Sequence, residues 1–147
     1  MLKSSHIHDN TMMGIDILHK ASATVEDCNI HSNTGFGVAF QGEGTTAALK
    51  SSHIHDNKMQ GVLIVSKASA TVEHCDIHSN TGSGVVVSGV GTTAVLKSNH
   101  IHENKELGVV IVDNANVTVE YSEGTYTEIG LLVGLLVGIA GLLVRVF

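Results

Sequence analysis

Ser5-His6-Ile7-His8-Asp9-Asn10 returns as Ser52-His53-Ile54-His55-Asp56-Asn57, and in altered form as Asn99-His100-Ile101-His102-Glu103-Asn104. Looser copies lie between, at Cys28-Asn29-Ile30-His31-Ser32-Asn33 and Cys75-Asp76-Ile77-His78-Ser79-Asn80. Asn10, Asn33, Asn57, Asn80 and Asn104 are alternately 23 and 24 residues apart. A period of that length marks stacked units, none of which can bury its apolar face alone.

Working outward from the Asn column, a Gly follows four residues later each time: Gly14, Gly37, Gly61, Gly84 and Gly108. After each Gly comes a short apolar run whose period-2 placement sends Ile15 and Ile17, Val38 and Phe40, Val62 and Ile64, Val85 and Val87, Val109 and Ile111 to one side. A Gly/Ser/Thr-rich corner leads to a second strand, such as Ala23-Thr24-Val25-Glu26 or Ala47-Ala48-Leu49-Lys50, and the His-Ile-His strand closes the repeat. Each repeat thus supplies three short strands and three corners. The expected fold is all-β, a parallel β-helix of about five coils over residues 1–122, with Ile7, Ile30, Ile54, Ile77 and Ile101 inward.

The columns give independent support. Lys3, Glu26, Lys50, Glu73, Lys97 and Glu120 alternate in sign, so coils about 4.8 Å apart set opposite charges beside one another. Asn side chains at a corner can form an amide ladder, and the Gly after them is expected to supply a positive φ. Cys28 and Cys75 lie two coils apart, too far for a disulfide, and read as free buried thiols.

The recurring Ile-His-x-Asn-(x)3-Gly-Val pattern, over about residues 2–121, resembles the right-handed parallel β-helix repeats of pectate-lyase-like carbohydrate proteins and of certain F-box proteins. That resemblance implies the fold and leaves enzymes, binders and scaffolds all open. Lyases and hydrolases of this kind use clustered acids with Arg or Lys. Here the only Arg is Arg145, outside the repeats, so a non-catalytic chain is expected.

Past a linker at 123–128, the segment 129–147 is apolar up to Arg145 and long enough, about 28 Å as a helix, to cross a bilayer. It reads as a single-pass transmembrane helix with a packing face of Gly130, Gly134, Gly138 and Gly141. Glu123 and Glu128 before it and Arg145 after it place the coils on the lumenal or trans side. No signal peptide precedes the first repeat, and Leu2 opens in a strand without a cap, which a partner, a preceding segment or self-association should cover.

Two outward columns are candidate sites. His8, His31, His55, His78 and His102 form one, with His6, Asn29, His53, Asp76 and His100 beside it. Imidazoles one coil apart with Asp76 nearby could share Zn²⁺ or Cu²⁺, and repeat duplication alone would also produce the pattern. Asp16 is followed in its column by Ala39, Leu63, Val86 and Val110, an apolar strip that reads as a docking surface. The net charge of -6 and the scattered Lys exclude a nucleic-acid partner. Together these features predict a non-catalytic accessory subunit, without cofactor, of a membrane complex, photosynthetic or respiratory, in a thylakoid or mitochondrial inner membrane. Its partners would be the bilayer and neighbouring membrane subunits. The alternatives are a membrane-tethered carbohydrate or metal binder and a divergent polysaccharide-acting enzyme.

Overall fold

The computed structural model describes residues 1–121 and two later strands, Leu131–Val133 and Leu143–Val146. All strands pair in parallel with their own copies one coil away, giving three sheets among the described residues. The first sheet runs Leu2–Lys3, Ser22–Glu26, Thr46–Lys50, Ser69–Glu73, Thr93–Lys97 and Asn116–Tyr121. The second is His6–His8, Asn29–His31, His53–His55, Asp76–His78 and His100–His102. The third is Ile15–Leu18, Val38–Gln41, Val62–Val65, Val85–Ser88 and Val109–Val112. Register follows the repeat without a slip, so like residues stack on like: Ile30 pairs with Ile54, and Ile54 with Ile77.

The core is a stack of layers. Val25, Leu49, Val72 and Leu96 point in from the first sheet, Ile30, Ile54 and Ile77 from the second, and Phe40, Ile64 and Val87 from the third, all essentially without exposure. Each such burial contributes roughly 1.5–3 kcal/mol. The charge column of the first sheet pairs as its alternation predicts, Lys3 with Glu26 at 3.3 Å and Lys50 with Glu73 at 2.6 Å. Cys28 and Cys75 are free and buried, and burial pushes the Cys75 thiol up to about 12.

The Asn corner is a continuous ladder. The side-chain amide of Asn33 donates to Asn57 Oδ1 at 2.9 Å, Asn57 to Asn80 at 2.9 Å, and Asn80 to Asn104 at 2.9 Å. The glycines after it serve a purpose other than a positive φ, which none of them adopts. A Cβ on Gly61 would lie 2.7 Å from Ile77 Cγ2 and 2.9 Å from Asn80 Nδ2, so the next coil's Ile and Asn occupy the space a side chain would need. The left-handed corners fall instead on polar residues, such as Asp9, Ser32, Asp56, Ser79 and Glu103 just after the His strand. Short polar side chains tolerate that region better than branched ones.

The transmembrane helix expected over 129–147 is not supported. Within it Leu131–Val133 pairs with Val109–Ile111 and Leu143–Val146 with Thr118–Tyr121, both in parallel register as further strands of the third and first sheets. Short Leu/Val runs between glycines suit a strand as well as a helix, and hydrophobicity alone does not separate the two. Gly130, Gly134, Gly138 and Gly141 lie outside the described residues. No helix among the described residues is long and apolar enough to cross a membrane.

Candidate functional site

The second sheet turns its two outward columns to one face because each strand is three residues long with an inward Ile in the middle, fully buried in the central coils. The flanking residues have no other direction to take. In the second column the imidazoles stack almost parallel: His8 on His31 at 5.0 Å between ring centres, His31 on His55 at 4.9 Å, His55 on His78 at 5.0 Å and His78 on His102 at 5.0 Å.

Four of the five rings are anchored by the left-handed corner residue that follows them. His8 and His55 set Nδ1 2.7 Å from the carboxylates of Asp9 and Asp56, and His31 and His78 set Nδ1 3.0 Å from the hydroxyls of Ser32 and Ser79. Parallel rings fixed this way hold their nitrogen lone pairs parallel too, so the five histidines do not converge on a common ion. Desolvation, joined by the positive charge their neighbours would carry, holds His31 and His78 below the ordinary imidazole range, so both favour the neutral base.

Convergence occurs where the first column carries its one acid. Asp76 sits between His53 and His100 in the ladder. Its Oδ1 lies 3.0 Å from His102 Nε2 and 3.4 Å from His100 Nδ1, and its Oδ2 lies 3.7 Å from His53 Nδ1. The His100 ring lies 4.1 Å from that of His102 and is tilted by 26° against it, while His102 stays stacked on His78. The sequence placed His100 and Asp76 beside the column, but not the convergence of His100 and His102 on one Asp76 oxygen. The available signal was a lone carboxylate in a column otherwise His or Asn.

The apolar strip is less open than its pattern suggests. Ala39 is fully buried, and Leu63, Val86 and Val110 are half-buried. At its N-terminal end Gln41 donates from Nε2 to Asp16 Oδ1 at 2.8 Å.

A family model described as "right handed beta helix region" matches residues 1–134. The chain belongs to the right-handed β-helix family. Among solved structures, this β-helix resembles the A-module of the Azotobacter vinelandii mannuronan C-5 epimerase AlgE4, at a TM-score of 0.62 and 15% identity over 97% of the chain and 57% of that module. It also resembles the A-module of AlgE6 from the same organism, at 0.63 and 18% over 98% of the chain and 56% of that module. The chain therefore spans little more than half of each. No curated protein matches the sequence.

These neighbours correct the expectation of a non-enzyme. The same stack of coils is the framework of modules that are mannuronan C-5 epimerases, so the fold itself is no argument against catalysis. Neither the β-helix nor its neighbours supports the expected accessory role in a membrane complex.

Proposed function

We propose that this β-helix acts on a uronate-containing polysaccharide, removing the proton from the ring carbon that bears the carboxylate. The observation that carries the reading is the juxtaposition, on one exposed face, of His78 with the Asp76–His100–His102 cluster. Inverting a uronate at C-5 requires a base for the C-5 proton and positive or hydrogen-bonding groups for the charge that moves onto the carboxylate.

His78 meets the first need. Its Nδ1 is engaged by Ser79, which leaves Nε2 to take the proton, and its lowered affinity for protons keeps it in the basic form at neutral pH. His100 and His102, one coil further along, meet the second. A proton delivered from solvent to the opposite ring face gives the epimer, and departure of the C-4 substituent with formation of a C-4–C-5 double bond instead gives chain cleavage. The two structural neighbours are epimerases, which favours the first outcome.

Incubating the full chain with polymannuronate in D₂O tests this. Deuterium should appear at C-5, and His78→Gln should slow its uptake by about 10²–10⁴-fold, the usual contribution of a general base. Uptake at the same rate in His78→Gln with unchanged circular dichroism would sink the assignment of the base. No uptake by the unaltered chain would sink the whole reading.

A further inference from the structure

The Asp76 cluster has a geometry that proton transfer does not call for. Three potential ligand atoms, one carboxylate oxygen and one nitrogen from each of His100 and His102, all lie within 4.8 Å of one another. Two of their separations are 3.0 Å and 3.4 Å. Zinc holds nitrogen and oxygen ligands at about 2.0–2.2 Å in a tetrahedron, which sets ligand atoms roughly 3.3–3.5 Å apart. We propose that Asp76, His100 and His102 form a binding site for a divalent transition metal, Zn²⁺ or Cu²⁺.

Ligand chemistry narrows the metal. Two imidazoles and one carboxylate suit the borderline ions, whereas Ca²⁺ and Mg²⁺ take oxygen ligands almost entirely. His102 belongs to the column, where neighbouring rings lie within 17° of parallel, and it is His100, tilted by 26° against it, that brings a second nitrogen to the same Asp76 oxygen. Further polar groups lie near the ligands, just beyond hydrogen-bond distance. His53 Nδ1 lies 3.7 Å from the second Asp76 oxygen, and Glu103 Oε2 lies 3.8 Å from His102 Nδ1, the nitrogen that would not bind metal. A carboxylate behind a ligating imidazole fixes its orientation and raises its basicity.

Three protein ligands on a half-exposed face leave a coordination position toward solvent. That position could take the carboxylate of a bound uronate, and this use alone rests on the polysaccharide reading. The metal site itself does not.

The test is calorimetric titration of the full chain with Zn²⁺ at pH 7.5, without polysaccharide. One equivalent should bind. Asp76→Asn and His102→Gln should each weaken it by more than the roughly 10–100-fold that follows loss of an outer partner, and His8→Gln should leave it unchanged. With Cu²⁺, electron paramagnetic resonance should show coupling to two imidazole nitrogens, reduced to one in His100→Gln. Absence of binding to the unaltered chain overturns the proposal. So does binding that survives Asp76→Asn and falls with His8→Gln, which would return the ion to the stacked column. Isotope exchange without metal binding would overturn the metal site and leave the proton chemistry standing, and the reverse result would do the opposite.

Discussion

Asn29 and Asp76 occupy the same place in the repeat, two coils apart, and their surroundings are copies. Asn29 lies between His6 and His53 in its ladder, and Asp76 between His53 and His100. Each receives a diagonal contact from the second column of the following coil, His55 Nε2 at 2.9 Å from Asn29 Oδ1 and His102 Nε2 at 3.0 Å from Asp76 Oδ1. Ser32 and Ser79 anchor His31 and His78 alike. The main difference at the centre is an amide against a carboxylate of nearly the same shape. The coil stack therefore supplies the backbone placement and the diagonal contact twice, and the carboxylate together with the tilted His100–His102 pair sets one copy apart.

The comparison fails most completely if the frame joining the two sites is lost. Asn57 stands in the coil between them, without exposure. Its Oδ1 accepts from the backbone and side chain of Asn33, and its Nδ2 donates to Asn80 Oδ1 and Ile30 O. Asn57→Ala leaves several of these buried groups unpaired, each costing about 1–3 kcal/mol. A loss of about 3 kcal/mol or more is expected in urea unfolding, with partial exposure of the coils on either side. A loss near zero would mean that the ladder does not hold register.

Exchanging the two centres asks whether charge is sufficient. Asn29→Asp should give the chain a second Zn²⁺ equivalent, using His53 and His55 in the places of His100 and His102. The double variant Asn29→Asp/Asp76→Asn should return to one equivalent, now sensitive to His55→Gln and indifferent to His102→Gln. A single variant that still binds one ion would show that the tilt of His100 against His102, absent from the parallel column, matters more than the carboxylate.

Much of this architecture was legible in the sequence, because a repeat states its own contacts: the Asn ladder, the inward Ile column and the alternating Lys/Glu pairs all follow from stacking like on like. Gly61 and its equivalents were legible as obligatory, but their reason lay in the next coil's Ile and Asn, which only packing brings to them. The site was half legible. The column from His8 to His102 could be read directly, whereas the convergence at Asp76 depends on a diagonal reach between columns and a ring tilt that no one-dimensional pattern encodes. Leu131–Val133 misled because its composition suits bilayer and sheet equally.

A smaller effect separates the two sites by pH. Desolvation lowers the proton affinity of both His31 and His78, so as pH falls below the ordinary value of 6.5 the unfolded chain takes up protons that the folded chain refuses. Stability is then greatest above that value and declines as pH falls through the folded pKa values. Thermal unfolding between pH 7.5 and 5 should record the decline, and His31→Asn should flatten it. At His78 the nearby Asp76 carboxylate acts against desolvation. Asp76→Asn should therefore move the His78 titration further down in an NMR pH series and leave that of His31 nearly where it was. Equal movement of both would mean that the column titrates as one unit.

The mildest change lies on the first sheet, in the coil that carries His53. Lys50 and Glu73 meet at 2.6 Å, and each shifts the other in the sense of an ion pair, Lys50 up and Glu73 down. Glu73 contributes stability above its ordinary carboxylate range, a contribution lost as pH falls through the depressed folded value. Lys50 contributes below its ordinary ammonium range. The pair is thus complete at neutral pH. Yet both side chains reach water, at 40% and 22% exposure, where solvent and salt screen the attraction. Lys50→Gln should leave the unfolding midpoint within experimental error in 0.15 M salt and leave Zn²⁺ binding unchanged. If it weakens binding, charge acts on the Asp76 site through the body of the coil, and the contrast between Asn29 and Asp76 is no longer local.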